Sequence, residues 1–138
     1  MFFKKKNSEN NINIDNAICT LLIHAAKTDG QYDENEKNLI KQYFIKLKKN
    51  DAYIDDLMIK CEKNEKDSVE IFNLTKEIKK INYNHRLEII EIMLKIIYSD
   101  QNLCHYEDRL IRKVAGLIYI ESKDLGNIKI KVKNDLHC

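Results

Sequence analysis

Proline is missing from all 138 residues, and glycine occurs only at Gly30, Gly116 and Gly126. Sheet-rich folds need more turn residues than that, so the expected fold is all-α. Arginine is nearly as scarce: only Arg86, Arg109 and Arg112 stand among the 24 basic residues. Base and phosphate readers lean on the arginine fork, and a net charge of +2 adds no field to replace it. No nucleic-acid partner is expected. No CxxC pair occurs among Cys19, Cys61, Cys104 and Cys138, and no apolar leader follows "MFFKKK". Reduced thiols in a cytoplasmic chain are therefore expected. The greasiest stretch, Leu87 to Tyr98, is broken by Glu88, Glu91 and Lys95. It is shorter than the ~20 apolar residues that span a bilayer, so no integral membrane segment is expected. Neither a nucleophile motif nor a phosphate-cradling glycine loop is present, and no enzyme is expected.

What remains is enough apolar material, 43% of residues, for one core. Residues 1–12 read as a disordered leader, 13–133 as one helical domain and 134–138 as a loose tail. Helical punctuation is frequent. Asp15 is placed to cap a helix ending near Thr28, Asp33 a second, Asp51 a third, and Asp67 or Ser68 a fourth. Asn84 is placed to cap a fifth over Arg86 to Ser99, a sixth spans about His105 to Ile120, and Ser122 opens a seventh. "NIKIKVK" alternates like a strand, but its context favours a helix. The first and fifth helices are apolar around most of their circumference, which predicts that both are central.

Those two helices end alike. "LLIHAAKTDGQYDENEKNLI" aligns with "IMLKIIYSDQNLCHYEDRLI", so that Asp29 falls on Asp100, Glu36 on Glu107, Leu39 on Leu110 and Ile40 on Ile111. The spacing is 71 residues, and it predicts two helix-turn-helix repeats about a pseudo-twofold axis.

The first turn reads in two ways. Asp33-Glu34-Asn35-Glu36 is a capping box, and Gly30 suits the left-handed end of a helix. Asp29 and Asp100 fit that account less well. An aspartate at a helix C-terminus faces the negative end of the dipole, and both repeats place one there. If the turns meet, Asp29, Asp33, Glu36, Asp100 and Glu107 converge and need a positive partner. Oxygen donors of this kind suit Ca²⁺, Mg²⁺ or Mn²⁺. The EF-hand spacing is not matched, because Gly30 directly follows Asp29. Otherwise the acidic face docks a protein partner of basic character, and the turns only cap helices.

From about Ile14 to Lys133 the chain resembles the tellurite-resistance protein B (TerB) family. The A-x-x-D-G-x-x-D-x-x-E turn and its degenerate second copy carry the resemblance. It implies an all-α fold of about seven helices in two similar halves, and a role in tellurite or stress response. It also implies a divalent-cation cluster at Asp29, Asp33, Glu36, Asp100 and Glu107. The second copy departs from the pattern, with Cys104 in place of Asp33 and Gln101 in place of Gly30.

Overall fold

The computed structural model of the chain describes residues 2–28, 32–67, 70–99 and 109–136. Seven α-helices and no strands occur among them: α1 Phe2–Thr28, α2 Glu34–Lys46, α3 Asp51–Asp67, α4 Ile71–Ile78, α5 Tyr83–Ile97, α6 Arg109–Leu117 and α7 Ser122–Asp135. The all-α expectation holds, and so does the central pair. α1 packs against α2, α3, α4 and α5, while α5 packs against α1, α2, α6 and α7. Helix α1 buries Ile18, Cys19, Leu21, Leu22, Ile23, Ala25 and Ala26, and α5 buries Ile89, Ile90, Met93, Leu94, Ile96 and Ile97. A helix that is apolar on all sides has no face to give to water, so both sit inside.

The 71-residue recurrence appears in the backbone as well. Among the described residues, two non-glycine residues take the left-handed conformation, Lys48 (φ 65°) and Tyr119 (φ 58°). Both close a helix with the same pair of hydrogen bonds. Lys48 N donates to Ile45 O (2.8 Å) and Lys49 N to Phe44 O (3.2 Å), while Tyr119 N donates to Gly116 O (3.3 Å) and Ile120 N to Ala115 O (2.9 Å). Every position of one set lies 71 residues before its equivalent in the other. Packing repeats too, since α1 lies on α3 as α5 lies on α7, and α4 bridges the halves by touching α1 and α6. A side chain in the left-handed region costs ~1 kcal/mol that glycine avoids. Lys48 is exposed, so Lys48→Gly should raise stability by about 0.5–1 kcal/mol, read as a later urea midpoint.

Several helix starts differ from the sequence reading. Where a disordered leader was expected over residues 1–12, α1 runs from Phe2, because nothing before Gly30 breaks a helix. Asp15 therefore lies inside α1 and caps nothing. The third and fifth caps are Asn50 and Asn82, not Asp51 and Asn84: Asn50 Oδ1 accepts from Tyr53 N (2.7 Å) and Asn82 Oδ1 from His85 N (2.9 Å). The expected Ser68 start lies outside the described residues, and α4 begins after Glu70. "NIKIKVK" is helical and belongs to α7. Val132 is buried and Ile128, four residues earlier, half-buried on the same face; Ile130 points outward at 61% exposure. Helix α7 reaches Asp135, past residue 134, where the loose tail was expected to begin, and residues 137–138 lie outside the described residues.

Candidate functional site

The acidic turn is built at the start of α2. Asp33 Oδ1 accepts from the backbone amides of Asn35 (3.0 Å) and Glu36 (3.3 Å), and Glu36 Oε2 accepts from Asp33 N (3.1 Å). Both halves of the capping box are therefore present. Its two carboxylates differ in environment. Asp33 is exposed, whereas Glu36 is only 5% exposed.

The second oxygen of Glu36 reaches the other repeat. Ser99, just past α5, has its Oγ 3.0 Å from Glu36 Oε1 and 2.7 Å from Ile96 O. A hydroxyl has one proton, so the two acceptors share it. Ser99 immediately precedes Asp100 in the chain. The first acidic turn thus lies against the segment that leads into the second. Of the five residues singled out by the sequence, Asp33 and Glu36 are brought together. Asp29, Asp100 and Glu107 lie outside the described residues. Among the described residues, no three His, Cys, Asp or Glu side chains are grouped to hold a metal ion.

Burial pushes the Glu36 carboxyl above its ordinary value of 4.5, and its hydrogen bond with Asp33 adds to the rise. The same hydrogen bond, first, and the backbone amides after it hold Asp33 below its ordinary 3.8. Glu36 therefore gives up its proton at a higher pH than a free glutamate, and Asp33 at a lower pH than a free aspartate. A raised folded-state pKa contributes stability below pH 4.5 that is lost as pH rises through the folded value. The Asp33 contribution has the opposite sense and is lost as pH falls through its lowered value. Glu36→Gln imitates the protonated form. Melts taken from pH 4 to 7 should show the Gln variant gaining on the native chain as pH rises; a constant difference would overturn the raised Glu36 carboxyl.

Sequence reasoning missed the charges that surround this turn. Tyr32 OH donates to Glu62 Oε1 on α3 (2.8 Å), while Lys37 Nζ lies 5.1 Å and Lys27 Nζ 5.8 Å from the Tyr32 ring centre. Lys37 also pairs with Glu62 (3.7 Å), and Lys27 (2.8 Å) and His24 (3.4 Å) both meet Glu65. Burial and the Glu62 carboxylate push the Tyr32 phenol up, so it stays a donor. Asp15, read as a cap, is a buried acid between α1 and α3, held by Tyr53 OH (2.5 Å) and Lys49 Nζ (3.5 Å). No local pattern signals these pairings, because each partner comes from another helix. Between α2 and α3 runs an open groove of about 410 Å³, with Glu34, Asp55 and Glu62 facing Lys37 and Lys41 around Ile59.

Among known protein families, the one described as Tellurite resistance protein TerB matches residues 15–130. Neither a curated protein nor a solved structure matches the chain.

Proposed function

We propose, for a chain that belongs to the family of tellurite resistance protein TerB, that the acidic turns bind a divalent cation, Ca²⁺, Mg²⁺ or Mn²⁺. The observation that carries this reading is the hydrogen bond between Glu36 and Ser99, which ties the first turn to the approach of the second. Asp33 and Glu36 supply oxygens from α2, and Asp29, Asp100 and Glu107 supply the rest. Because the Glu36 carboxyl is raised, a cation on its carboxylate competes with the proton, so binding should weaken as pH falls. The chain works as a small cytoplasmic binding module in tellurite or stress response, and it is not an enzyme. No helix among the described residues is long and apolar enough to cross a membrane.

One observation favours a second reading. The capping box is complete without any ion, so the acids can serve the helix alone while the α2 face docks a protein partner of basic character. No nucleic-acid role is proposed.

Titrating each cation while following the melting midpoint tests the first reading. A rise that saturates with one of the three ions supports it, and no shift at millimolar ion sinks it.

A further inference from the structure

Cys19 and Cys61 are both free and fully buried, and they come from helices adjacent in space but 42 positions apart in the chain. Contacts between α1 and α3 rise together along both helices: Asp15 meets Tyr53, Cys19 meets Met58 and His24 meets Glu65. The two helices therefore run parallel, and the cysteines can be placed by level. Cys19 Sγ lies 3.6 Å from Met58 Sδ, and Met58 is one turn before Cys61. Cys61 Sγ lies 3.6 Å from Asn16 O, and Asn16 is one turn before Cys19. Each thiol thus touches the residue one turn ahead of the other thiol. That crosswise contact sets both sulfurs at the same level of one interface.

We propose that Cys19 and Cys61 form a redox-modifiable dithiol, which a peroxide converts to a disulfide that locks α1 to α3. Cys61 loses its proton, and its thiolate sulfur attacks the O–O bond of hydrogen peroxide. This forms a sulfenic acid and a hydroxide, which takes up the released proton as water. The Cys19 sulfur then displaces the sulfenic oxygen, which leaves with the Cys19 proton as a second water. Two thiols are oxidised by two electrons in all, and one peroxide is reduced to two waters. The order of attack follows from the environment. Hydrogen bonding from Cys19, ahead of every other influence, holds the Cys61 thiol below its ordinary range, and the same contact together with burial pushes Cys19 well up. Cys61 is the better thiolate and Cys19 the resolving thiol. Neither sulfur belongs to the acidic turn, so this inference does not depend on the cation reading.

The full chain is treated with hydrogen peroxide, digested without reductant and mapped by mass spectrometry. A Cys104→Ser, Cys138→Ser background removes the other two thiols. The expected product is a Cys19–Cys61 linked peptide, two hydrogens lighter than the reduced pair and reversed by dithiothreitol. In Cys19→Ala, Cys61 should instead advance to the sulfinic acid, because nothing resolves its sulfenic form. The mapping on the background chain stands by itself, whether or not the Ala variant folds. Cys61 recovered as thiol or as sulfinic acid in that chain, with no linked peptide, overturns the proposal.

Discussion

With Ca²⁺, Mg²⁺ or Mn²⁺ at a hundredfold its dissociation constant, the native chain is expected to melt about 10 °C higher, and the Asp33→Asn, Glu36→Gln chain no higher at all. The native rise follows from mass action, which gives ~2.7 kcal/mol at that excess for a ligand that binds only the folded state. The variant is chosen so that the fold survives. Asparagine caps a helix about as well as aspartate, and glutamine completes a capping box as glutamate does. What the pair of substitutions removes is negative charge, and hard cations are held by charge. Asp29→Asn with Asp100→Asn is the companion test. On the sequence reading it removes acids placed at the unfavourable end of a helix dipole, so it should leave the ion-free protein as stable or slightly more so. The two functional readings then part. If the cation reading holds, both variants lose the thermal response. If the acids only dock a partner, the native chain shows no response to any ion, and the second variant loses the partner in a pull-down.

Phe44→Ala is expected to cost about 3–5 kcal/mol, against a total stability of ~5–15 kcal/mol for a domain of ordinary stability. Phe44 is fully buried on α2 and meets the Tyr43 ring edge-on at 5.2 Å between centroids. Deleting the ring loses its transfer free energy and opens a cavity between packed helices, which relax only in part. Helix α2 has few other anchors: its buried residues are Glu36, Ile40, Tyr43 and Phe44. The same substitution should therefore loosen the helix that carries the acidic turn, and blunt any cation response beyond the loss of stability. Ile59→Ala is the control. Ile59 is 68% exposed, and a change there should stay within about 0.5 kcal/mol. Urea denaturation of the three proteins decides the matter; similar midpoints would contradict the packing account.

The sequence carried the architecture because helical architecture is written in short-range patterns. The apolar circumference of the first and fifth helices predicted their central place, and the capping box at Asp33 formed as read. Caps failed where two cap-forming residues stood within two positions of each other. Asn50 and Asn82 took the role over Asp51 and Asn84, and sequence alone hardly separates neighbours that cap equally well. Asp15 failed for another reason. It was read by its neighbours in the chain, but its partners, Lys49 and Tyr53, are more than thirty positions away. The same limit governed the site. Glu36 was legible as a capping residue, whereas its bond to Ser99 depends on how α2 meets α5. The repeat alone hinted at that meeting.

The bond between Glu36 and Ser99 also bears on how fast the chain folds. It closes a loop of 63 positions, and the packing of α1 on α5 is similarly non-local. Helices α1, α2 and α3 can meet early, since short loops close at little entropic cost. Helix α5 meets α1 and α2 only across long separations in the chain, and such contacts cost more loop-closure entropy. Refolding should therefore be slower than for a bundle of the same size made of sequential hairpins. The acidic turn, seated where the halves join, is completed among the last parts of the molecule.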